Sequence, residues 1–323
     1  METLRVGRKK YSDPDVISLI RATGALVDPR SSVLTQARNL IARLHPFGDV
    51  PKNAIKRLTI LASMMGITVE PMDVERQRKE KRDAILVSTR KSRIILYNPN
   101  RPASRVAFSI AHEISHAFFP NSVTGARFRT ICESGSKEAN EIERLCDLGA
   151  SELLMPIREF QREVAGDYSL TNVEKLCAIF GSSFEATTFR LATAHPGNAA
   201  AGLLRYRLRL DEERQATKAH QSSLFAKELG EVDVHLPDPK YRRHSIYFSE
   251  AYGDHLMVRW NKSFDKSSCV YQAVSTDGIV FGIESLPNGS GIKGRLEVIK
   301  APYQREEAHP QFGDVLFFWT SDV

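Results

Sequence analysis

Two histidines and a glutamate stand at a spacing that can hold a metal ion and use it. These residues are His112, Glu113 and His116, in the order His-Glu-Ile-Ser-His. On a helix, side chains four residues apart lie on one face, so the two imidazoles could bind one zinc ion. Glu113 could then accept a proton from water beside that ion. The pattern is typical of zinc peptidases, although a chain of this length contains it by chance on the order of 1% of the time.

The residues around this motif predict the helix that it needs. Apolar side chains recur at helical spacing over residues 106–118, which indicates one buried stripe. Asn98 or Asn100 is expected to cap the helix, with Pro102 in its first turn, and Pro120 is expected to end it. The alternative is an ordinary core helix whose two histidines and glutamate face solvent.

A catalytic zinc ion needs a third protein ligand, and a second predicted helix offers one. The run Lys137–Met155 favours a helix, and on it Glu143 and Asp147 are four residues apart on one face. Glu143 could bind the ion, while Asp147 could accept a hydrogen bond from the far nitrogen of a ligating histidine. Glu143 could instead belong to an ordinary solvated helix face, together with other acids nearby: Glu133, Glu138 and Glu141.

These segments together resemble one family of enzymes, the ImmA/IrrE metallopeptidases. The family is marked by H-E-x-x-H, then a helix with E-x-x-A-N/D and an ending A-x-L-L-M-P, and Ser104–His116 and Glu143–Pro156 are similar to these parts. Two predicted strands, Ala84–Thr89 and Ser92–Tyr97, resemble the hairpin that precedes the zinc helix in the family. The resemblance covers about residues 50–195.

The resemblance implies a function and a fold. It implies a zinc ion held by His112, His116 and Glu143, with Glu113 as general base. The fold is expected to be α+β, with a mainly helical, gluzincin-like protease core and a small β-sheet. Such proteins typically cleave a helix-turn-helix (XRE-like) repressor and so switch on stress, mobile-element or defence genes, as in CapP-like defence regulators. We therefore expect a zinc metalloendopeptidase that acts on such a repressor in response to stress or DNA damage.

Three residues near the predicted site need a separate account. Cys146 stands where the family usually has alanine, and Gly149 stands where it usually has an aromatic residue. We expect both departures to affect packing rather than ligation. Cys132 lies in the connection between the two helices, where its thiolate could take the fourth zinc position and inhibit the enzyme. The alternative is an ordinary loop cysteine.

Composition predicts a soluble cytoplasmic protein of two or three domains. The 323 residues are 42% hydrophobic and 26% charged, which is close to globular averages. There is no run of eighteen apolar residues and no apolar stretch behind the charged N-terminus, so neither a membrane span nor a signal peptide is expected. The four cysteines form no C-x-x-C pair, which favours a reducing compartment.

We expect three domains: the metallopeptidase at 1–165, a helix-turn-helix-like segment at 166–200, and a β-rich domain at 201–323. In the middle segment, residues 169–194 could bind DNA and make the chain a transcription factor with a structural zinc site. The second helix carries only Arg190 as a strong base, so a structural role is favoured.

The third domain is expected to begin with a charged, irregular stretch, Asp211–His244, and to continue as a sheet. A sensor of the GAF or PAS type would fit it. Short apolar runs separated by turn residues predict the strands: Leu256–Trp260, Cys269–Val274, Ile279–Ile283, Leu296–Ile299 and Val315–Trp319.

The net charge of +6 raises the question of a nucleic-acid ligand. Arg205, Arg207 and Arg209 alternate along a predicted strand and would share one face, and Arg242 and Arg243 form a second cluster. Basic groups among aromatic rings suit single-stranded DNA, which could act as the activating ligand. The alternative is a solvated basic face. A last alternative for the whole chain is a regulator that binds its repressor without cleaving it.

Overall fold

The chain forms two compact units, which are described separately below. The first contains residues 1–163 and 175–183, and the second contains residues 164–174 and 184–323. The computed structural model describes residues 3–7, 9–24, 28–44, 51–79, 82–89, 92–120, 137–226, 238–252, 262–287, 290–303, 309 and 312–321. The boundaries of the three predicted domains stay a prediction.

Helices make up most of the first unit. Apolar residues at helical spacing over 33–44 and 52–65 predict two helices, and both are present, although the first starts four residues earlier than the pattern indicates. The helices are α1 (Pro14–Thr23), α2 (Pro29–Ala42), α3 (Ala54–Met64), α4 (Val74–Lys79), α5 (Ala103–His116), α6 (Lys137–Leu154), α7 (Ile157–Val164) and α8 (Val173–Phe180), of which α7 and α8 extend into residues of the second unit.

Helix α5 carries the histidine motif, as predicted, but it is capped differently from the prediction. Its N-cap is Pro102, whose side chain accepts no hydrogen bond. The side chain of Asn98 instead accepts a hydrogen bond from the N–H of Asn100 in the preceding turn. Asparagine favours such turns as strongly as helix caps, so the sequence alone did not separate the two uses.

A small sheet lies beside these helices. It contains β3 (Ile67–Pro71), β4 (Ala84–Ser88) and β5 (Arg93–Tyr97) in the order β3-β5-β4. Strand β5 pairs parallel with β3 and antiparallel with β4, so the predicted hairpin is confirmed and β4 is an edge strand of this sheet. A separate two-stranded hairpin is formed by β1 (Leu4–Val6) and β2 (Lys9–Tyr11).

Helices α5 and α6 pack closely because Gly149 has no side chain. A Cβ atom at Gly149 would lie 2.6 Å from Ser115 Oγ and 3.0 Å from Val33 Cγ1. Real side chains do not tolerate the first distance, so any larger residue would push α6 away from α5. The departure at Gly149 therefore concerns packing, as expected, and it sets how near the two helices approach.

The second unit is built on a five-stranded antiparallel sheet in the order β7-β6-β10-β9-β8. One face forms a core that includes Leu296, Val298, Phe317 and Trp319. The other face carries a smaller apolar cluster beside α9. The elements are α9 (Phe184–Ala194), β6 (Ala199–Arg207), α10 (Leu210–Ala226), β7 (Lys240–Phe248), α11 (Cys269–Gln272), β8 (Val280–Ser285), β9 (Lys293–Lys300) and β10 (Val315–Thr320).

Two predictions for this unit were wrong. The stretch Asp211–His244 is not simply irregular, because it contains most of α10 and half of β7. Three acids in the first turn of α10 favour a helix N-terminus, although the same charges are also common in irregular surface segments. The run Cys269–Val274 begins with helix α11, capped by Ser268, rather than a strand. The strand expected at 256–260 lies outside the described residues.

The predicted helix-turn-helix segment does contain two helices, α8 and α9, joined through Gly181 in the left-handed region at φ 68°. However, residues 175–183 belong to the first unit and residues from 184 onward belong to the second. Arg190, the single strong base of α9, is buried at 4% exposure. This burial weighs against DNA recognition by α9.

Candidate metal centre

Helix α5 brings the two motif histidines together in its last two turns. His112 Nε2 and His116 Nε2 are 3.1 Å apart, and their rings meet edge to face with centroids separated by 4.8 Å. The apolar face of the helix, which includes Val106, Ile110 and Ile114, is buried and fixes the direction of the histidines. Both imidazoles therefore turn the same nitrogen toward one point.

Helix α6 adds a carboxylate at that point. Glu143 Oε2 is 3.0 Å from His112 Nε2, and Glu143 Oε1 is 3.7 Å from His116 Nε2. Two imidazole nitrogens and one carboxylate are a usual donor set for catalytic zinc. The side chain of Glu143 is 44% exposed while that of His112 is 17% exposed, so the cluster is open to solvent on the α6 side.

The second nitrogen of His112 is held by Asp147, one turn after Glu143. Asp147 Oδ1 is 2.9 Å from His112 Nδ1. Burial by itself lowers the pKa of His112, but hydrogen bonds to Asp147 and Glu143 outweigh it and raise that pKa to about 10. The sequence predicted such a contact for one of the ligating histidines, and the structure assigns it to His112.

Cys146 contacts the second histidine, which the sequence did not predict. Its Sγ lies 3.1 Å from His116 Nδ1, and both side chains are buried. The expectation that Cys146 affects packing alone was therefore incomplete. One signal was available: Cys146 is three residues after Glu143 and so shares its helix face. His112, His116 and Cys146 also form a group whose donor atoms lie within 4.8 Å of one another and could hold a metal ion.

Glu113 lies beside this cluster and contacts the small sheet. Its Oε2 accepts a hydrogen bond of 2.9 Å from the backbone N–H of Leu86 on β4. The carboxylate is thereby fixed between helix α5 and the edge strand. An anchored carboxylate next to a metal site can act as a base, because its orientation is set before substrate arrives.

Cys132, the predicted inhibitory ligand, lies outside the described residues. Its role stays a prediction. Glu133 and the side chain of Glu138 are also outside the described part of the chain. Glu141 is used elsewhere: its carboxylate accepts hydrogen bonds from the backbone N–H groups of Ser12 and Asp13.

The basic face predicted on the C-terminal sheet is occupied by ion pairs. Arg205 Nε lies 3.4 Å from Asp314 Oδ1, and Arg242 Nη2 lies 3.2 Å from Glu212 Oε2. Arg209 follows the end of β6 rather than lying in it, and its Nε is 2.7 Å from Glu212 Oε1. Asp314 and Glu212 pair with Arg205 and Arg242 from distant positions in the sequence, while Glu212 and Arg209 are only three residues apart. A count of basic residues alone therefore overstated the free positive charge.

The remaining two arginines of the predicted face, Arg207 and Arg243, contact each other. Arg207 donates a hydrogen bond of 3.0 Å to the backbone carbonyl of Arg243. Burial lowers the pKa of both guanidinium groups. Ion pairs and hydrogen bonds thus occupy arginines of this face, and its role as a nucleic-acid contact surface stays a prediction.

The residues of this site fall within a part of the chain that matches a known family model. Residues 62–192 match the Peptidase_M78 family model, described as the IrrE N-terminal-like domain. A solved structure, a Mycobacterium tuberculosis transcriptional regulator, is similar in fold with a TM-score of 0.51 and 15% sequence identity, over 94% of this chain and 80% of that chain. No curated protein matches the chain. Among the described helices, none is both long and apolar enough to cross a bilayer.

Proposed function

We propose that this protein is a zinc-dependent endopeptidase. His112, His116 and Glu143 would hold the ion, and Glu113 would act as general base. The observation that carries the proposal is the convergence of His112 Nε2, His116 Nε2 and the Glu143 carboxylate from two separate helices. The match of residues 62–192 to a peptidase family supports it.

Glu143 and Cys146 compete for the place of third ligand, and the geometry favours Glu143. The Glu143 carboxylate faces Nε2 of both histidines. Cys146 Sγ contacts Nδ1 of His116, which is on a different side of that ring from the nitrogen that faces His112. A single ion cannot use both nitrogens of one imidazole, so the Nε2 set is the more consistent one.

Each residue of the cluster would have a definite task in peptide hydrolysis. When bound, a zinc ion would supply Lewis-acid activation of water and of the scissile carbonyl. Glu113 would take a proton from the attacking water and deliver it to the leaving amine. Asp147 would keep the proton of His112 on Nδ1, so that Nε2 stays free to ligate.

The substrate class proposed here is a helix-turn-helix repressor of the XRE-like kind, cleaved in response to stress or DNA damage. The match to the IrrE N-terminal-like domain supports this class. The five-stranded antiparallel sheet of the second unit is compatible with a sensor module of the GAF or PAS type. The ion-paired arginines give no support to single-stranded DNA as the activating ligand.

Co-expression with a candidate repressor encoded beside this protein tests the proposal. Wild-type protein is expected to cleave the repressor at a bond that mass spectrometry identifies. Glu113→Gln is expected to keep the metal and lose cleavage, because an amide accepts no proton from water. His116→Ala is expected to lose both.

Two outcomes separate the alternatives. A repressor that is regulated but never cut, with the metal bound, would indicate a non-proteolytic regulator. Cleavage that persists in Glu113→Gln would contradict the assignment of the base.

A further inference from the structure

We infer that Cys146 is a positioning residue for the metal centre, which holds His116 so that its Nε2 faces the ion. This inference rests on the proposed zinc site and assigns to Cys146 a role beyond packing. The carrying observation is the distance of 3.1 Å between Cys146 Sγ and His116 Nδ1.

The contact fixes which nitrogen of His116 carries a proton. If Nε2 binds a metal ion, the neutral imidazole keeps its proton on Nδ1. That N–H then faces the Cys146 sulfur, which lies within hydrogen-bond distance and can accept it. His116 is 7% exposed and Cys146 is fully buried, so this hydrogen bond is shielded from water. A buried N–H without an acceptor would cost free energy, so the sulfur stabilises this tautomer.

Helix α6 supplies the same kind of support to both histidines. Asp147 contacts Nδ1 of His112, and Cys146 contacts Nδ1 of His116. Both residues follow Glu143 by three or four positions and share its face. One turn of α6 therefore provides the third ligand and the partners of both other ligands.

The approach of the two helices makes this contact reachable. Cysteine is short, so its sulfur reaches His116 only if α6 packs tightly on α5. Gly149 allows that approach one turn later, where a Cβ atom would lie 2.6 Å from Ser115 Oγ. Cys146 and Gly149 are the two residues that depart from the family's usual pattern, and the structure relates them. Gly149 permits the close packing of α5 and α6, and this packing brings the Cys146 sulfur within reach of His116.

Metal affinity of matched variants tests the inference. Cys146→Ala removes the acceptor, and partners of metal ligands typically contribute 10- to 100-fold in affinity, so a loss of about that size is expected. Cys146→Ser keeps an acceptor and is expected to bind close to wild-type strength. Cys177→Ala, which removes a thiol from α8, serves as the control. Affinity for zinc is measured by competition with a chelator, and circular dichroism checks folding.

Two spectroscopic measurements read the positioning role directly. In the zinc-loaded protein, nitrogen NMR of His116 is expected to show a hydrogen-bonded Nδ1–H in wild type and a changed resonance in Cys146→Ala. In cobalt-substituted protein, no charge-transfer band of a cobalt–thiolate bond is expected. If that band is present in wild type and absent in Cys146→Ala, Cys146 is a ligand and the inference is overturned.

The outcomes distinguish this inference from the proposed function. If Glu143→Ala loses zinc while Cys146→Ala binds as wild type does, the metal site stands and the inference fails. If wild-type protein takes up no zinc, both fail together. If Cys146→Ala does not fold, Cys146→Ser decides: a folded serine variant with strongly weakened binding overturns the inference, and one with near wild-type binding and the same His116 tautomer supports it.

Discussion

Glu113 accepts a hydrogen bond of 2.9 Å from the backbone N–H of Leu86. This bond joins the carboxylate beside the two histidines to the edge strand β4. In an antiparallel pair, alternate N–H groups point away from the neighbouring strand. Leu86 donates such an outward-pointing N–H to the Glu113 carboxylate. The main chain of the sheet thus helps to set the rotamer of the proposed base.

Leu86→Pro removes this N–H and is expected to lower the rate of cleavage. A hydrogen bond to a charged group contributes roughly 1.5–3 kcal/mol, so a loss of about tenfold to a hundredfold in kcat is expected. Proline is tolerated where an edge strand turns its N–H outward, so the fold should persist. Steady-state kinetics on the cleaved repressor measure the effect.

Ser88→Pro is the matched control for that variant. Ser88 is two residues further along β4, so its N–H points the same way as that of Leu86. Ser88→Pro therefore also removes an outward-pointing N–H of β4, but it leaves the hydrogen bond from Leu86 to Glu113 in place. Equal losses of kcat in the two variants would show that β4 matters for another reason, such as binding of substrate along its edge.

Asp147→Ala is expected to weaken zinc binding by about 10- to 100-fold, because His112 loses the acceptor that fixes its tautomer. The contact removed is the one of 2.9 Å between Asp147 Oδ1 and His112 Nδ1. Chelator competition measures the affinity. Arg144→Ala, a change on the exposed surface of the same helix, provides the comparison. Unchanged affinity in Asp147→Ala would mean that the carboxylate does not support the ligand.

Metal uptake is expected to release a proton from His112. In the metal-free protein its pKa is raised from 6.5 to about 10, so the ring is protonated near neutral pH, whereas a ligating nitrogen is not. Affinity should therefore rise with pH until about 10. Calorimetry in two buffers of different ionisation enthalpy counts the released protons. The absence of release near neutral pH would contradict ligation by His112.

The same pKa predicts how the stability of the metal-free protein changes with pH. A raised pKa means that the folded state holds the proton more tightly than the unfolded state does. The resulting stabilisation is fully present below pH 6.5 and is lost as the pH rises toward about 10. Chemical unfolding of metal-free protein across this range measures it, and His112→Ala is expected to flatten the dependence.

Gly149→Ala is expected to destabilise the protein, which is opposite to the usual effect of this change in a helix. Alanine normally gains about 1 kcal/mol over glycine in a helix interior. Here the new Cβ would lie 2.6 Å from Ser115 Oγ, and such overpacking typically costs about 1–3 kcal/mol. Urea unfolding gives the sign. Adding Ser115→Ala should recover part of the lost free energy of unfolding. If Gly149→Ala alone were more stable than wild type, α5 and α6 would have to move apart without cost.

Arg242→Ala is expected to reduce stability rather than to affect nucleic-acid binding. The Arg242 side chain is 5% exposed, pairs with Glu212 and donates to the carbonyl of Arg207, so about 2–3 kcal/mol should be lost. Arg209→Ala, at a side chain 41% exposed, should have a smaller effect on stability, because an exposed ion pair is screened by solvent. If Arg242→Ala instead bound single-stranded DNA more weakly at unchanged stability, this result would support the nucleic-acid contact predicted from the sequence.

The histidine motif and its partner helix could be predicted from local pattern. His112 and His116 are close because a helix repeats every 3.6 residues, and the same geometry pairs Glu143 with Asp147. The hairpin at β4 and β5 likewise follows from apolar strands at short separation. In these cases the interacting residues are neighbours in sequence or lie on one element, so spacing alone determines their relation.

The arginine cluster shows why the rest could not be predicted. Arg205 and Arg242 are basic in sequence, but Asp314, just before β10, and Glu212, on α10, neutralise them from positions far along the chain. Ion pairs are short-range and depend on which segments fold against each other, which composition does not record. Helix α10 was missed for a related reason, since its acidic first turn also resembles a solvated loop.

The sequence by itself determined the candidate metal-binding groups of this protein: two histidines one helical turn apart, a glutamate beside them, and a second helix with an acid pair. Only the tertiary structure decided how these groups are supported. It brings the Cys146 sulfur into contact with His116, the Leu86 N–H into a hydrogen bond with Glu113, and Gly149 to the point where α5 and α6 pack together. These contacts join different elements, and their distances depend on how closely the elements pack, so no spacing along the chain could have fixed them.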